Sequence, residues 1–354
     1  MGALLLVLSV AALAVAAGPS FGKAHAAASK VDVGVLLPDT QSSVRWETQD
    51  RPALNKAFKA AGVSVTIVNA HGDASTQRTQ ADQALTNGAK VLLLVDLDSG
   101  SGKAIISAAH KKGAKVIDYD RLTLGGDSDY YVSYDNAKVG GLQGRGLVKC
   151  IGAAGLKKPV VAELNGSPTD NNATLFAQGY NAVLNPKYKS GAYVKGPNQS
   201  VPDWDNQKAL TIFEQMLQQT NNKIDAVLAA NDGLANSVIS ALKARKLGNL
   251  PVTGQDATVQ GLQHILAGEQ CMTVFKSSTG EAGAAAKIAI ALVKGQKPKT
   301  TGTVKSGSKT EPAVLLPPVS ITKSNISTVI KSGEQKRSDI CKGKYAALCK
   351  KAGL

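Results

Sequence analysis

The chain has 354 residues, 43% of them hydrophobic and only 4% aromatic, which is enough for ordinary packed cores and longer than a usual single domain, so two domains are expected. The formal net charge is +15, but the lysines are scattered, and the local excess falls in the tail: residues 331–354 hold seven basic and two acidic side chains. No basic patch is interleaved with aromatic residues, as stacking on a nucleic-acid strand requires, so the charge reads as a basic surface rather than a nucleic-acid site.

The chain opens on an apolar run, Ala3 to Ala17, of the length of an export-signal core and too short to span a bilayer comfortably. Gly-Pro-Ser follows, then Ala24-His25-Ala26, an A-x-A cleavage pattern. No Lys or Arg precedes the run, which departs from the usual signal, and no cysteine follows it to carry a lipid anchor. Residues 1–26 are therefore expected to be a signal peptide, and the protein to be exported, to a periplasm or a cell surface.

From there β-like and helical patterns alternate. Val31–Leu37 is strand-like, Trp46–Ala61 has helical spacing and stops at Gly62, and Val63–Val68 is a strand. Ser75–Asn87 reads as a helix and Val91–Val95 as a strand buried on both faces; a helix over Gly102–Lys112 and a strand over Lys115–Tyr119 follow. After a Gly/Asp loop and Tyr130–Tyr134 the series restarts: helix Ala137–Lys149, strand Pro159–Leu164, helix Ala173–Leu184, a weak strand near Tyr193 and helix Asn206–Gln218. Strand Ile224–Ala229, helix Leu234–Arg245, strand Val252–Gln255, helix Val259–Leu266, strand Met272–Phe275 and helix Glu281–Lys294 complete it. Gly295–Lys309 reads as loop, Ala313–Val319 as a last strand, and residues 331–354 as a polar, poorly packed tail. Two such series argue for two doubly wound parallel-sheet lobes.

Four cysteines in an exported chain suit disulfides. Cys341 and Cys349 close a short loop and are the favoured pair, leaving Cys150 and Cys271 either bonded or free; the spacing matches no zinc site. Asp98-Ser99-Gly100-Ser101-Gly102-Lys103-Ala104 follows a strand and opens a helix, yet Leu97 stands where a phosphate loop needs glycine and Ala104 lacks a hydroxyl for magnesium. The four histidines (His25, His71, His110, His264) form no i, i+4 pair, and no G-x-S-x-G elbow is present, so neither a metal, a cofactor nor catalysis is expected. A sugar-responsive repressor would carry an N-terminal helix-turn-helix, where this chain has an apolar run.

What recurs is a polar cluster after almost every strand: Arg45-Trp46, Asp120-Arg121, Asp170-Asn171-Asn172, Asp203-Trp204, Asn231-Asp232, Gln255-Asp256 and Lys276. Taken singly, Asp and Asn after a strand are often helix caps. Seven such clusters at the carboxyl ends of strands, where open α/β sheets bind ligands, are harder to explain as caps. Arg and Lys donate, Asp accepts and Asn does both, which is the mixture a polyhydroxylated ligand needs, while an aromatic ring covers the C–H face of a sugar. Both tryptophans of the chain lie in these clusters.

These residues carry a resemblance. Val44-Arg45-Trp46, Tyr119-Asp120-Arg121, Ser133-Tyr134-Asp135-Asn136-Ala137-Lys138-Val139-Gly140, Gly166-Ser167-Pro168-Thr169-Asp170-Asn171-Asn172-Ala173, Asn222-Lys223-Ile224-Asp225, Gly254-Gln255-Asp256-Ala257 and Met272-Thr273-Val274-Phe275-Lys276 occur in this order. Together they resemble the D-xylose-binding proteins of bacterial ABC importers and their multiple-sugar-binding relatives, over roughly Val31 to Ile330. The tail with Cys341 and Cys349 lies outside that pattern. The resemblance implies a type I periplasmic-binding-protein fold, α/β, with two lobes joined by three hinge crossings. One lobe would comprise 31–134 plus 277–305 and the other 135–276 plus 306–330. It also implies that Arg45, Arg121, Asn172, Asn231, Asp256 and Lys276 bond sugar hydroxyls and that Trp204 stacks on the ring. Trp46 would be a second ring contact, and Asp120 would orient Arg121 or touch the sugar. Asp135-Asn136 would be the first hinge, Phe275-Lys276 the second, and the stretch near Lys305 the third. The implied partners are a monosaccharide, D-xylose first, and a permease that takes it from a monomeric binding protein. The alternative is a protein that binds several aldoses (glucose, galactose, arabinose) and presents them to a chemotaxis or signalling receptor.

Overall fold

The computed structural model describes Gly2 and residues 30–354; the expected signal peptide, 1–26, and His25 otherwise lie outside the described residues. The first series runs β1 (Val33–Leu37), a π-type turn over Trp46–Asp50 leading into α1 (Arg51–Ala61), β2 (Val65–Asn69), α2 (Ala74–Thr86), β3 (Val91–Leu94), α3 (Ser99–Lys111), β4 (Lys115–Tyr119) and β5 (Tyr130–Tyr134). Local signals mark several of the helix ends. Asp73 and Asp98 cap α2 and α3, accepting from the amides of Thr76 and Ser101, and Gly62 ends α1 in a left-handed conformation that costs a glycine little. The stretch weighed as a phosphate loop is thus an aspartate cap.

The second series runs α4 (Asn136–Ala153), β6 (Val160–Asn165), α5 (Asn171–Lys189), β7 (Val194–Ser200), α6 (Asn206–Gln219), β8 (Ala226–Ala229), α7 (Asp232–Ala244), α8 (Val259–Ala267) and β9 (Thr273–Phe275). The chain then returns through α9 (Ser278–Val293), β10 (Gly302–Ser306), β11 (Lys309–Leu316), β12 (Val319–Ile321), α10 (Ser327–Lys331), α11 (Arg337–Ile340) and α12 (Tyr345–Lys351).

The first lobe is a seven-stranded sheet in the order β10-β11-β5-β4-β3-β1-β2, parallel except for the β10–β11 hairpin. Strands β1 and β3 alternate in the faces they present although they hold only aliphatic residues and glycine. Val35 and Leu93 face a core with Leu54 and Phe58 of α1 and Ala282 to Ala289 of α9, whereas Leu36, Leu92 and Leu94 face Ala81, Leu85, Ile105 and Ile106 of α2 and α3. The second lobe has β7-β6-β8 as a parallel sheet over the core of α4, α5, α6 and α7. Residues 252–255, expected as a strand, make only one bridge among the described residues, Val252 to Val227. Their peptide groups nevertheless join β8 to β9, through Thr253 N to Val227 O at 3.1 Å and Val274 N to Gly254 O at 3.2 Å.

Three expectations need correction. The stretch 295–309 is not all loop, because β10 pairs antiparallel with β11 from Gly302↔Ala313 to Ser306↔Lys309. The third passage between lobes is therefore not near Lys305, and 306–316 does not belong to the second lobe. β11 pairs parallel with β5, and only β12 joins the second lobe, antiparallel to β9. The passage falls at Pro317-Pro318, whose missing N–H groups end one ladder before the next begins. Nor is the tail poorly packed. Ile340 and Cys349 are fully buried against Leu262, Ile265 and Leu266 of α8. The sulfurs of Cys341 and Cys349 are bonded, and so are those of Cys150 and Cys271.

Candidate ligand-binding cleft

The carboxyl ends of the strands of both lobes face one another across a cavity lined mainly by polar and charged side chains. The first lobe supplies Ser42, Ser43, Arg45 and Trp46 after β1 and Asp120 and Arg121 after β4; the second supplies Asp170, Asn172 and Phe176 on the β6–α5 side, Trp204 after β7, Asn231 after β8, Gln255 and Asp256, and Lys276 after β9. All the residues named from the sequence as ligand contacts, Arg45, Trp46, Asp120, Arg121, Asn172, Trp204, Asn231, Asp256 and Lys276, line this one cavity.

Arg45 is held by carboxylates. Its Nε and one terminal nitrogen each donate to Asp50 at 2.8 Å, the same nitrogen donates to Glu281 at 2.7 Å, and the other donates to Asp120 at 3.0 Å. Its guanidinium carbon also lies 4.5 Å from the Trp46 ring centroid, within cation–π range. Trp46 donates its indole N–H to Ser42 at 3.2 Å. Arg121 donates to the carbonyl of Asp96 at 3.1 Å and to Ser42 at 3.3 Å, and lies 3.4 Å from Asp170 across the cleft. Asn172 of the second lobe donates to Asp120 of the first, to its carbonyl at 3.0 Å and its carboxylate at 3.1 Å. Lys276 is buried, 3.6 Å from Asp256 and 5.5 Å from the Phe176 ring centroid.

The electrostatics follow from burial and charge together. Burial alone would raise the Asp120 carboxyl, but Lys276, Arg45 and Arg121 outweigh it and hold the group below its ordinary range. Burial would likewise lower Lys276, while Asp256 and Asp120 bring it above its ordinary value. Asp96, behind Arg121, is pushed up to about 7 by burial against the pull of Arg121. The result is a buried set of alternating charges in which every cation has a carboxylate partner, the condition under which charged groups tolerate burial.

The backbone is strained at this site. Asp120, Trp204 and Asp256 have φ of 64°, 56° and 93°, a left-handed region that costs non-glycine residues about 1–3 kcal/mol each. Trp204 is kept there by its indole N–H, which donates to Asp170 at 3.1 Å, and by Gly166, where any Cβ would collide with the indole ring. Phe176 meets Trp204 edge-on at 6.4 Å.

Five lining residues were not singled out individually from the sequence: Ser42, Ser43, Asp170, Phe176 and Gln255. Asp170 and Gln255 adjoin residues that were. Phe176 carries a readable signal, since it stands four residues after Asn172 on α5 and so shares its face. Asp50 and Glu281, which stand behind Arg45, carry none.

Two of the three stretches expected at hinges, Asp135-Asn136 and Phe275-Lys276, sit at passages between the lobes, whereas Lys305 lies on β10 within the first lobe. Asp135 caps α4 and donates its amide to Leu316 O at 3.2 Å. The Asn136 amide donates to Asn172 at 2.8 Å, and Phe275 pairs with Val319 of β12.

Two lobes with carboxyl-end loops facing a polar cleft are the architecture of the type I periplasmic-binding-protein fold, and the family comparison agrees. Residues 33–297 match the family described as "Periplasmic binding protein domain". The chain belongs to this family of periplasmic binding proteins. Among its relatives it is 38% identical over 315 residues to the D-xylose-binding periplasmic protein of Escherichia coli K12, covering 88% of this chain and 93% of that one. It is 35% identical over 350 residues to the multiple sugar-binding periplasmic receptor ChvE of Rhizobium radiobacter, covering 94% and 98%. In structure it resembles a carbohydrate-transporter solute-binding protein from Chloroflexus aurantiacus in complex with D-glucose, with a TM-score of 0.80, 32% identity and coverage of 87% and 98%. Among the described residues no helix is long and apolar enough to cross a membrane.

Proposed function

We propose that the protein captures a monosaccharide, D-xylose first, in the cleft and delivers it to the permease of an ABC importer, acting as an exported binding protein and not as an enzyme. What carries this reading is the convergence on one cavity of residues from separate strand ends, with donors, acceptors and two tryptophans together. Arg45, Arg121 and Lys276 donate to ring hydroxyls, Asp256 accepts, Asn172 and Asn231 do either, and the flat faces of Trp204 and Trp46 cover sugar C–H groups. Asp120, expected to orient Arg121, instead accepts from Arg45 and sets its direction, and it meets Asn172 from the opposite lobe.

The mechanism is hinge closure. Sugar binds to one lobe of an open form, the other lobe rotates about Asp135-Asn136, Phe275-Lys276 and Pro317-Pro318, and the closed shape is the one a permease recognises. Closure expels water, which strengthens each polar contact inside. The relation to ChvE favours a second reading, a binder of several aldoses that presents them to a receptor.

A thermal-shift and calorimetry panel over xylose, arabinose, ribose, glucose, galactose and fucose separates these readings. Stabilisation by xylose alone supports the narrow one, several sugars the broad one, and no response to any would overturn both. In the same panel Asp256→Ala is expected to weaken binding by about a hundredfold or more, because it strips a charged acceptor from a buried site, with the circular-dichroism spectrum unchanged. Unaltered affinity in this variant would remove Asp256 from the site.

A further inference from the structure

Glu281 is fully buried, does not line the cavity, and takes no part in the ligand contacts above. Its Oε2 nonetheless accepts from Arg45 at 2.7 Å, while its Oε1 is buried and has no hydrogen-bond partner among the described residues. Arginine has five N–H donors in a rigid plane. On Arg45 the Nε–H goes to Asp50, the two on one terminal nitrogen go to Asp50 and Glu281, and one on the other goes to Asp120. Among the described residues a single N–H is left over, on the nitrogen that also meets Asp120.

We propose that Glu281 is a positioning residue of the cleft: from behind the wall it completes the set of oxygen acceptors that locks the Arg45 guanidinium so that its one remaining N–H faces the ligand, and it ties that orientation to the second passage between the lobes. The inference rests on the sugar-binding reading above. The tie to the hinge is short. Glu281 stands in the first turns of α9, whose cap is Ser277 directly after Lys276. That cap is held from two other parts of the molecule. Tyr134, at the first passage, donates to Ser277 O at 3.0 Å, and Glu334 of the tail accepts from Ser277 Oγ at 3.0 Å and Ser278 N at 2.9 Å. A rotation about this passage therefore moves the base on which Glu281 stands.

The surrounding charges bear on how the lock works. The groups facing Glu281 are Arg45 and Asp50 beside α1, Asp120 after β4, and Lys276 after β9, together with the hydroxyls of Tyr119 on β4 and Tyr131 and Tyr134 on β5. Two cations and two carboxylates already balance, so a charge on Glu281 is uncompensated. Burial, reinforced by Asp120, raises its carboxyl to about 8. At neutral pH the neutral acid accepts from Arg45 through Oε2 and leaves Oε1 to carry the proton. Ionisation above that range adds a negative charge that competes with Asp120 and the ligand for the guanidinium.

The test measures sugar affinity by calorimetry from pH 6 to pH 9.5 for the wild type, Glu281→Gln and Glu281→Ala. Wild-type affinity is expected to fall as pH rises through about 8. The Gln variant, which keeps an uncharged acceptor, is expected to bind like the wild type at neutral pH and to lose the fall. The Ala variant is expected to bind about tenfold more weakly at neutral pH, because Arg45 is left with an unmatched buried donor. Ala binding as tightly as wild type, a flat wild-type profile, or the same profile in the Gln variant each overturns the proposal. Should Ala not fold, the comparison of wild type with Gln decides alone. A wild type that binds no sugar of the panel overturns the sugar-binding reading, and this inference with it.

Discussion

Asp170 shows how one side chain can serve two purposes that a sequence reading treats as rivals. One oxygen accepts from the Asn172 amide at 2.9 Å and caps α5, while the other accepts from the Trp204 indole at 3.1 Å and faces Arg121 across the cleft. Asn231 caps α7 through Leu234 N at 2.9 Å and still lines the cavity. The choice between cap and ligand contact was not exclusive, because a carboxylate or amide has more than one polar atom to offer. Gly166 makes the converse point, since its lack of a side chain is what the site uses. Gly166→Ala is expected to push the indole off its seat, weakening ligand affinity by about tenfold or more at a stability cost of about 1–3 kcal/mol. Tryptophan fluorescence and calorimetry check this; an unchanged emission spectrum with unchanged affinity would show that the indole position does not depend on Gly166.

Among the elements, the strands and helices of the first series were legible because their signals are local: alternation, apolar runs, Asp caps and glycine stops. The β10–β11 hairpin was not, because a Lys/Gly/Thr-rich stretch becomes a strand only by pairing, and its neighbour finds β5 nearly two hundred residues earlier in the chain. The tail was misread for a similar reason, since a polar composition hides the few apolar residues that reach α8. Glu334 is the clearest tail residue to test. Its carboxylate accepts from Ser277 Oγ, Ser278 N and Thr279 Oγ1 at 3.0, 2.9 and 3.0 Å, and it is buried. Glu334→Ala leaves these donors unmatched and is expected to lower stability by about 1–3 kcal/mol, read as a reduced urea midpoint. A midpoint equal to that of the wild type would make the tail's grip on α9 incidental.

For the whole molecule, the two disulfides differ in reach. Cys150–Cys271 spans a sequence separation of 121 and Cys341–Cys349 one of 8. On the chain-entropy account the first constrains the unfolded chain by about 5 kcal/mol and the second by about 2.5 kcal/mol. The double variant Cys150→Ser, Cys271→Ser is therefore expected to lose clearly more stability than Cys341→Ser, Cys349→Ser in urea unfolding of the second lobe. The reverse order would mean that tail packing, and not loop closure, sets the balance.

The sequence by itself determined the two α/β series, the polar clusters at strand ends and the convergence those clusters imply, because periodicity and caps act over a few residues and strands of a parallel sheet all end on the same side. Tertiary structure alone decided where the chain crosses for the third time, what the tail packs against, and that Asp50 and Glu281 stand behind Arg45. Those depend on which distant segments meet, and such contacts leave no period or spacing in the chain.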